Sequence, residues 1–336
     1  MTRFLKQGLL ALGVATTLAA APVGAQQNYI LATASTGGTY YPVGVAIATL
    51  TKVKIQPKHR TGMSAINSAG SGENIKLIRD GEAQFAILQG LFGAYAWNGE
   101  GPVASVGKQT HLRAVTMLWQ NVEQYVIAAK YAKTGTIADL QGVKGMAIAM
   151  GKKNSGTIGS NRRILANLGM DLDNDFTHLH AGYGPSADAL QDGRVVAIGT
   201  PAGVPTGAVT RLLAAAGHRV TPLTMTPEQA KQADGGLNLW TPYTIKAGAY
   251  PGQSEDWHTI AQPNFLATHQ DVDEQFVYLL TKTIYENLPF LNAIHKATTA
   301  MSLDRALAGL PAPLHPGAAR YYREVGLSIP QRLIAH

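Results

Sequence analysis

The stretch Tyr29-Ile30-Leu31-Ala32-Thr33-Ala34-Ser35-Thr36-Gly37-Gly38-Thr39-Tyr40-Tyr41-Pro42 decides how the chain reads. An apolar run passes into a turn of glycines and hydroxyls, and Pro42 then stands where the first turn of a helix accepts it. The pattern is strand, glycine-rich turn, helix. The first N–H groups of such a helix have no partners inside it and face outward. With the Ser and Thr hydroxyls beside them they form a seat for an anion, which makes Thr36, Gly37, Gly38, Thr39 and Tyr40 candidate ligand-facing residues.

Two later segments repeat the pattern. Ser68-Ala69-Gly70-Ser71-Gly72-Glu73-Asn74 precedes a helical run. Ser71 there is either a cap, with Asn74 where a capping box usually has Glu or Gln, or a hydroxyl offered to a ligand. Asn154-Ser155-Gly156-Thr157 follows the apolar Met146–Met150 and leads into a helix with Ile158, Leu165 and Leu168 on one face. Three hydroxyl-bearing helix starts after strands point to convergence on one ligand more than to capping alone. Gln89, directly after the strand Gln84–Leu88, offers its amide from the same kind of edge.

Further strands are expected at Ile30–Ala34, Val53–Pro57, Arg113–Met117, Tyr125–Ala129, Gly145–Ala149, Val195–Gly199, Val220–Leu223 and Thr259–Ala267, with helical patterns between most of them. Val272, Phe276, Leu279 and Thr283 follow helical spacing, with Asp271 as the expected cap. This alternation predicts an α/β fold with mostly parallel sheets. A phrase also recurs: Ile75–Arg79 runs into Asp80-Gly81-Glu82 and Phe85-Ala86-Ile87, and Ala187–Gln191 runs into Asp192-Gly193-Arg194 and Val196-Ala197-Ile198. A glycine ending a helix before a buried strand, used twice, suggests two equivalent lobes, with ligand bound at the C-terminal ends of the strands.

The N-terminus reads as a secretory signal peptide over residues 1–25. Arg3 and Lys6 precede the largely apolar Gly8–Ala20, and Val23-Gly24-Ala25 places small residues for cleavage after Ala25. A periplasmic protein of about 310 residues is expected, enough for two lobes with real cores. There is no cysteine, so packing and not disulfides must hold it, and thiol catalysis and Cys-ligated metals are excluded. Lys and Arg number 28 against 21 Asp and Glu; without Arg3 and Lys6 the balance falls from +7 to +5. The basic residues are scattered, Lys52-Val53-Lys54 and Lys152-Lys153 among them, so no nucleic-acid stripe is expected.

Enzyme signatures are missing. Gly101–Lys108 fails the phosphate-loop spacing, no G-x-S-x-G occurs, and His178-Leu179-His180 places two rings on one strand face without a carboxylate to complete a metal pattern. No catalytic residue, metal or cofactor is assigned.

The opening motif, Gly72–Ala83, Asn154–Thr157, Ala249-Tyr250-Pro251-Gly252-Gln253 and Gly309–Ala318 together resemble the TAXI proteins, the solute receptors of one class of TRAP (tripartite ATP-independent periplasmic) transporter. The resemblance spans nearly the whole mature chain. It implies a two-lobe periplasmic-binding-protein fold of type II kind with the ligand cleft between lobes, one lobe from 26–125 and 250–336, the other from 126–249. It further implies an organic-acid ligand, such as the glutamate or 2-oxoglutarate of characterised relatives, delivered by a monomer to TRAP membrane subunits. The ligand-facing positions it carries over are Thr36–Tyr40, Ser68, Ser71, Gln89, Ser155, Gly156, Thr157, and Gly203 and Pro205 in the Ala202–Pro205 turn. Gly90 and Leu91 after Gln89 replace a common Ser and acidic residue, and Ala69 replaces a usual Gly, which leaves room for another organic anion. Two other classes stay open: a ligand sensor that presents its closed form to a signalling receptor, and a periplasmic hydrolase or lyase.

Overall fold

The computed structural model describes residues 27–335; the expected signal peptide and its cleavage site lie outside the described residues. The chain opens with β1 (Gln27–Ala32), α1 (Tyr40–Leu50), the short α2 (Gln56–His59), β2 (Thr61–Ile66), α3 (Ser71–Arg79), β3 (Phe85–Gln89) and α4 (Gly90–Asn98). It continues through β4 (Leu112–Val122), β5 (Tyr125–Ala128), β6 (Ala147–Ala149), α5 (Gly156–Asn167), β7 (Thr177–His178), α6 (Tyr183–Gln191), β8 (Ala197–Gly199), α7 (Gly207–Ala216), β9 (Val220–Leu223) and α8 (Pro227–Asp234). It ends with β10 (Thr241–Ile245), β11 (Trp257–His269), α9 (Glu274–Glu286), α10 (Leu288–Ile294) and α11 (Pro316–Glu324).

Two sheets result. One has the order β10-β11-β3-β1-β2 with β4 also on β11; the other is β7-β6-β8-β5-β9. In the first, β2, β1 and β3 are parallel neighbours; in the second, β7, β6 and β8 are. Each sheet thus carries a parallel core in which strand and helix alternate, as the sequence predicts. The sheets are not mostly parallel as expected, however: β10, β3 and β4 run antiparallel to β11, and β8 and β9 to β5, because the strands that lead the chain between the two halves run against the parallel units. β3 is buried at every position, which explains its unbroken apolar run Phe85–Leu88: a parallel strand covered on both faces has no polar side to show. The recurring glycine phrase falls once in each half. Gly81 (φ 73°) follows α3 and Gly193 (φ 74°) follows α6, a left-handed conformation that glycine adopts at no steric cost.

The chain crosses between sheets at Val122–Tyr125, where β4 ends in one and β5 begins the other. It returns from β9 through α8 to β10. That strand falls within 126–249, the range expected for the second lobe, yet it pairs with β11 in the first sheet. Its Ile245 nevertheless belongs, with Trp257 of β11, to the same buried apolar cluster as Val126 and Leu212 in the second half. The β10–β11 ribbon is therefore shared: backbone bonds on one side, apolar burial on the other.

Two further expectations are corrected. Val53–Pro57 is not a strand, because α1 runs on through a π-helical turn at Thr51–Ile55 into α2. Thr51 and Ile55, four residues apart on one helical face, are buried while Val53 is exposed. The alternation of Lys52, Val53, Lys54 and Ile55 imitates a strand, and the real one, β2, has no β-branched run to announce it. The cap of α9 is Asp273, which accepts the Phe276 N–H, and not Asp271.

Candidate functional site

The residues that follow all six parallel strands meet at one cavity between the sheets. Ala34 and Ser35 come after β1, Gly70 and Ser71 after β2 and Gln89 from the end of β3; Lys152, Ser155, Gly156 and Thr157 follow β6, Ala181–Tyr183 follow β7, and Pro201 and Ala202 follow β8. This is where an α/β sheet presents ligands, since the helix N-termini face the carboxyl ends of the strands. The cavity is small, about 30 Å3, against the 10–15 Å3 or so that one water needs. The two halves stand closed on it.

Of the sequence-expected residues, Gly38, Thr39, Tyr40, Ser71, Gln89, Ser155, Gly156 and Thr157 line this cavity. Thr36, Gly37 and Pro205 lie instead along a shallow outer groove. Ser68 is buried behind the wall, where it bonds the Asn74 amide oxygen at 2.6 Å and accepts the Gly70 N–H. Asn74 itself completes no capping box: its Nδ2 donates to the Thr33 and Ile87 carbonyls and ties the first two loops to β3. Gly203 also stands behind the wall, where a Cβ would come within 2.8 Å of the Trp119 ring.

The hydroxyls divide their duties. Ser155 caps α5, accepting the Ile158 N–H at 3.1 Å and donating to the Lys152 carbonyl at 2.7 Å. Thr157 does not cap; its Oγ1 lies 2.8 Å from the Tyr183 hydroxyl, which donates to the Pro201 carbonyl. Ser71 is the first residue of α3 and accepts the Gln89 N–H at 3.1 Å. Thr39 precedes α1 without capping it and donates to the Gly203 carbonyl across the cleft at 3.0 Å.

Backbone meets backbone around the rim. Glu73 N–H donates to the Asn154 carbonyl at 3.0 Å and Ala208 N–H to the Gly37 carbonyl at 3.1 Å. Glycines make this approach possible. A Cβ on Gly72 would stand 2.5 Å from the Asn154 carbonyl oxygen, and one on Gly156 would stand 2.5 Å from the Gln89 Oε1.

Lys152, Tyr183 and Asn121 are among the lining residues with no counterpart in the sequence-expected set. Lys152 is the one charged residue of the lining among the described residues; it precedes the Asn154–Thr157 loop but reads in sequence as part of a scattered basic pair. Tyr183 opens α6. Asn121 lies on β4, 1% exposed, and neither amide atom meets a hydrogen-bonding group of the described residues. Gln89 Oε1 is similarly unmatched. A cationic side chain, the N-termini of α1, α3, α5 and α6, and several hydroxyls, with no carboxylate in the lining among the described residues, suit an anion.

Glu123, in the crossing between sheets, is fully buried. Burial pushes its carboxyl up to about 8, opposed by the hydrogen bond from Trp240, whose Nε1–H donates to its Oε1 at 2.9 Å. At neutral pH it is largely protonated and spares the hinge an unpaired buried charge.

The two rings of His178 and His180 do share a face, with Nδ1 atoms 2.8 Å apart. The Met150 N–H donates to His178 Nε2, so His178 carries its proton on Nδ1 and gives it to His180. That arrangement leaves neither nitrogen of His178 free for a metal. Burial, and then His180, hold the His178 imidazolium down to about 4.

Two sheets closing on one cleft define a two-lobe periplasmic-binding-protein fold. Solved structures of the same architecture include PhnD1 from Prochlorococcus marinus in complex with methylphosphonate (12% identity over 89% of this chain and 98% of that one, TM-score 0.54). A protein from Bordetella bronchiseptica RB50 is similar too (16% identity, 90% and 85%, TM-score 0.53). So is a binding protein component of an ABC phosphonate transporter from Pseudomonas aeruginosa (12% identity, 80% and 78%, TM-score 0.51). The chain itself belongs to the NMT1-like family, whose model matches residues 31–326.

Proposed function

We propose that this protein is an exported receptor that captures a small organic anion between its lobes by closure and passes it to the membrane subunits of a transporter. The observation that carries the reading is the composition of the cavity wall: Lys152 as its only charge among the described residues, facing the first turns of α1, α3 and α5. Each half contributes, so a bound anion stabilises the closed arrangement by as much as it prefers that arrangement to the open one. No His, Asp or Glu lines the cavity to serve as a general base, which supports binding without turnover.

The likeness of the opening motif, the Gly72–Ala83 segment and the Gly309–Ala318 segment to the TAXI pattern supports a TRAP transporter as the recipient, with Thr39, Tyr40, Ser71, Gln89, Ser155, Gly156 and Thr157 on the ligand. The experiment is a thermal-shift screen of the mature protein over carboxylates, sulfonates and phosphonates, followed by calorimetry. A ligand at about 100 times its Kd adds roughly 2.7 kcal/mol to folding. Response to metals or nucleotides only would overturn the reading. Uptake of the identified ligand by proteoliposomes holding a TRAP membrane pair, against an ABC permease, decides the recipient.

A further inference from the structure

The anion seat leaves part of the cavity wall unexplained. Asn121 stands on β4 at the cavity with 1% of its surface exposed, and both its Nδ2 and its Oδ1 are unmatched by any described residue. Turning the amide over changes nothing, because both ends are in the same condition. Gln262, directly opposite on β11, uses its oxygen on the Leu91 N–H and Asn264 uses its oxygen on the Tyr40 hydroxyl; the amide nitrogens of both are unmatched as well, and neither bonds Asn121. A buried amide carries two donor hydrogens and an acceptor oxygen, and leaving them unpaired is costly. A carboxylate or sulfonate group, or a fully ionised phosphonate, offers acceptors only. It satisfies the Nδ2 and cannot satisfy the Oδ1.

A ligand that brings a donor beside its anionic group pairs both ends of the Asn121 amide. An ammonium would be one, but no carboxylate lines the cavity to receive it, and Lys152 together with the helix N-termini repels it. A neutral hydroxyl donates and accepts at once and carries no charge.

We infer that the ligand is a hydroxy acid and that Asn121 is the residue that reads its hydroxyl. This rests on the anion-capture reading and narrows it. Calorimetry on matched pairs tests it: lactate against propionate, malate against succinate, 2-hydroxyethanesulfonate against ethanesulfonate, with alanine as the ammonium counterpart of lactate. The hydroxylated member of at least one pair should bind about 10- to 100-fold more tightly than its deoxy partner, because the partner leaves Asn121 unpaired. Alanine should bind more weakly than lactate. In Asn121→Leu the ratio within that pair should shrink to about threefold or less. Asn121→Ser, which retains a hydroxyl in a smaller side chain, should keep part of the discrimination; it serves as the second variant if Asn121→Leu does not fold, as judged by its unliganded melting curve. Equal binding of both members of every pair that binds, or alanine matching lactate, would overturn the hydroxyl inference and leave anion capture standing. Binding by none of the acids would overturn both.

Discussion

At the scale of single residues, the site separates groups that hold the fold from groups free to hold a ligand. Ser155 is the cap of α5, so Ser155→Ala should cost about 0.5–2 kcal/mol of stability in the unliganded protein, read from denaturant unfolding. Thr157, two positions further, caps nothing, and Thr157→Val leaves the Tyr183–Pro201 bond in place. Its unliganded melting curve should stay near wild type while ligand affinity falls. Lys152 is partly exposed and joins no ion pair among the described residues. Lys152→Met should therefore change unliganded stability little and weaken the anion by roughly 10- to 150-fold, the value of one charge-assisted hydrogen bond of about 1.5–3 kcal/mol. Calorimetry on the variant checks this, and an unchanged Kd would place the anion away from Lys152.

At the scale of elements, the glycines at helix starts set how near the halves can come. Gly72 in the first turn of α3 faces the Asn154 carbonyl, where a Cβ would sit at 2.5 Å. A backbone oxygen cannot swing aside as a side chain can, so Gly72→Ala should hold the cleft ajar. The expected result is a larger radius of gyration by small-angle scattering in the presence of ligand, and at least about a tenfold loss of affinity, with the fold intact. These loops were legible in the sequence because glycine and hydroxyl residues between a strand and a helix have a local cause. Thr36–Tyr40, Ser68–Ser71 and Asn154–Thr157 could be found that way. Asn121 could not, because Trp119-Gln120-Asn121 reads as the fading end of a strand, and its place at the cavity arises from pairing with Gln262, 141 positions on. Tyr183 and Lys152 are hidden for the same reason: their roles come from residues of the other loops. The Val53–Pro57 misreading has a local source, since five residues are too few to tell a period of two from the turn of a π-helix.

At the scale of the whole molecule, the buried acid at the crossing couples the fold to pH. The Glu123 carboxyl is raised from 4.5 to about 8 in the folded protein, so between those values the folded chain holds a proton that the unfolded chain has released. Its contribution to stability is complete below about 4.5 and is lost as pH rises through 8. Glu123→Gln keeps the shape and the Trp240 hydrogen bond but removes the proton equilibrium. The unfolding free energy of the wild type should decline relative to the variant from pH 5 to pH 8, measured by denaturant titration at each pH. Parallel curves would mean that Glu123 is ionised in place.

The pairing of β5 with β9 puts Tyr125 directly opposite Leu223. The segment that builds the second sheet therefore enters and leaves through the same doorway, its two ends a single strand spacing apart, about 5 Å. It is an insert, and in an engineered chain it can be lifted out and its gap bridged by a tight turn, or exchanged for another segment whose ends meet the same way. The exchange is not free of conditions, because Ile245 and Trp257 share one apolar core with Val126 and Leu212. Any replacement has to bring its own apolar patch to cover them, and a bare deletion would leave a sticky surface where the removed half had been.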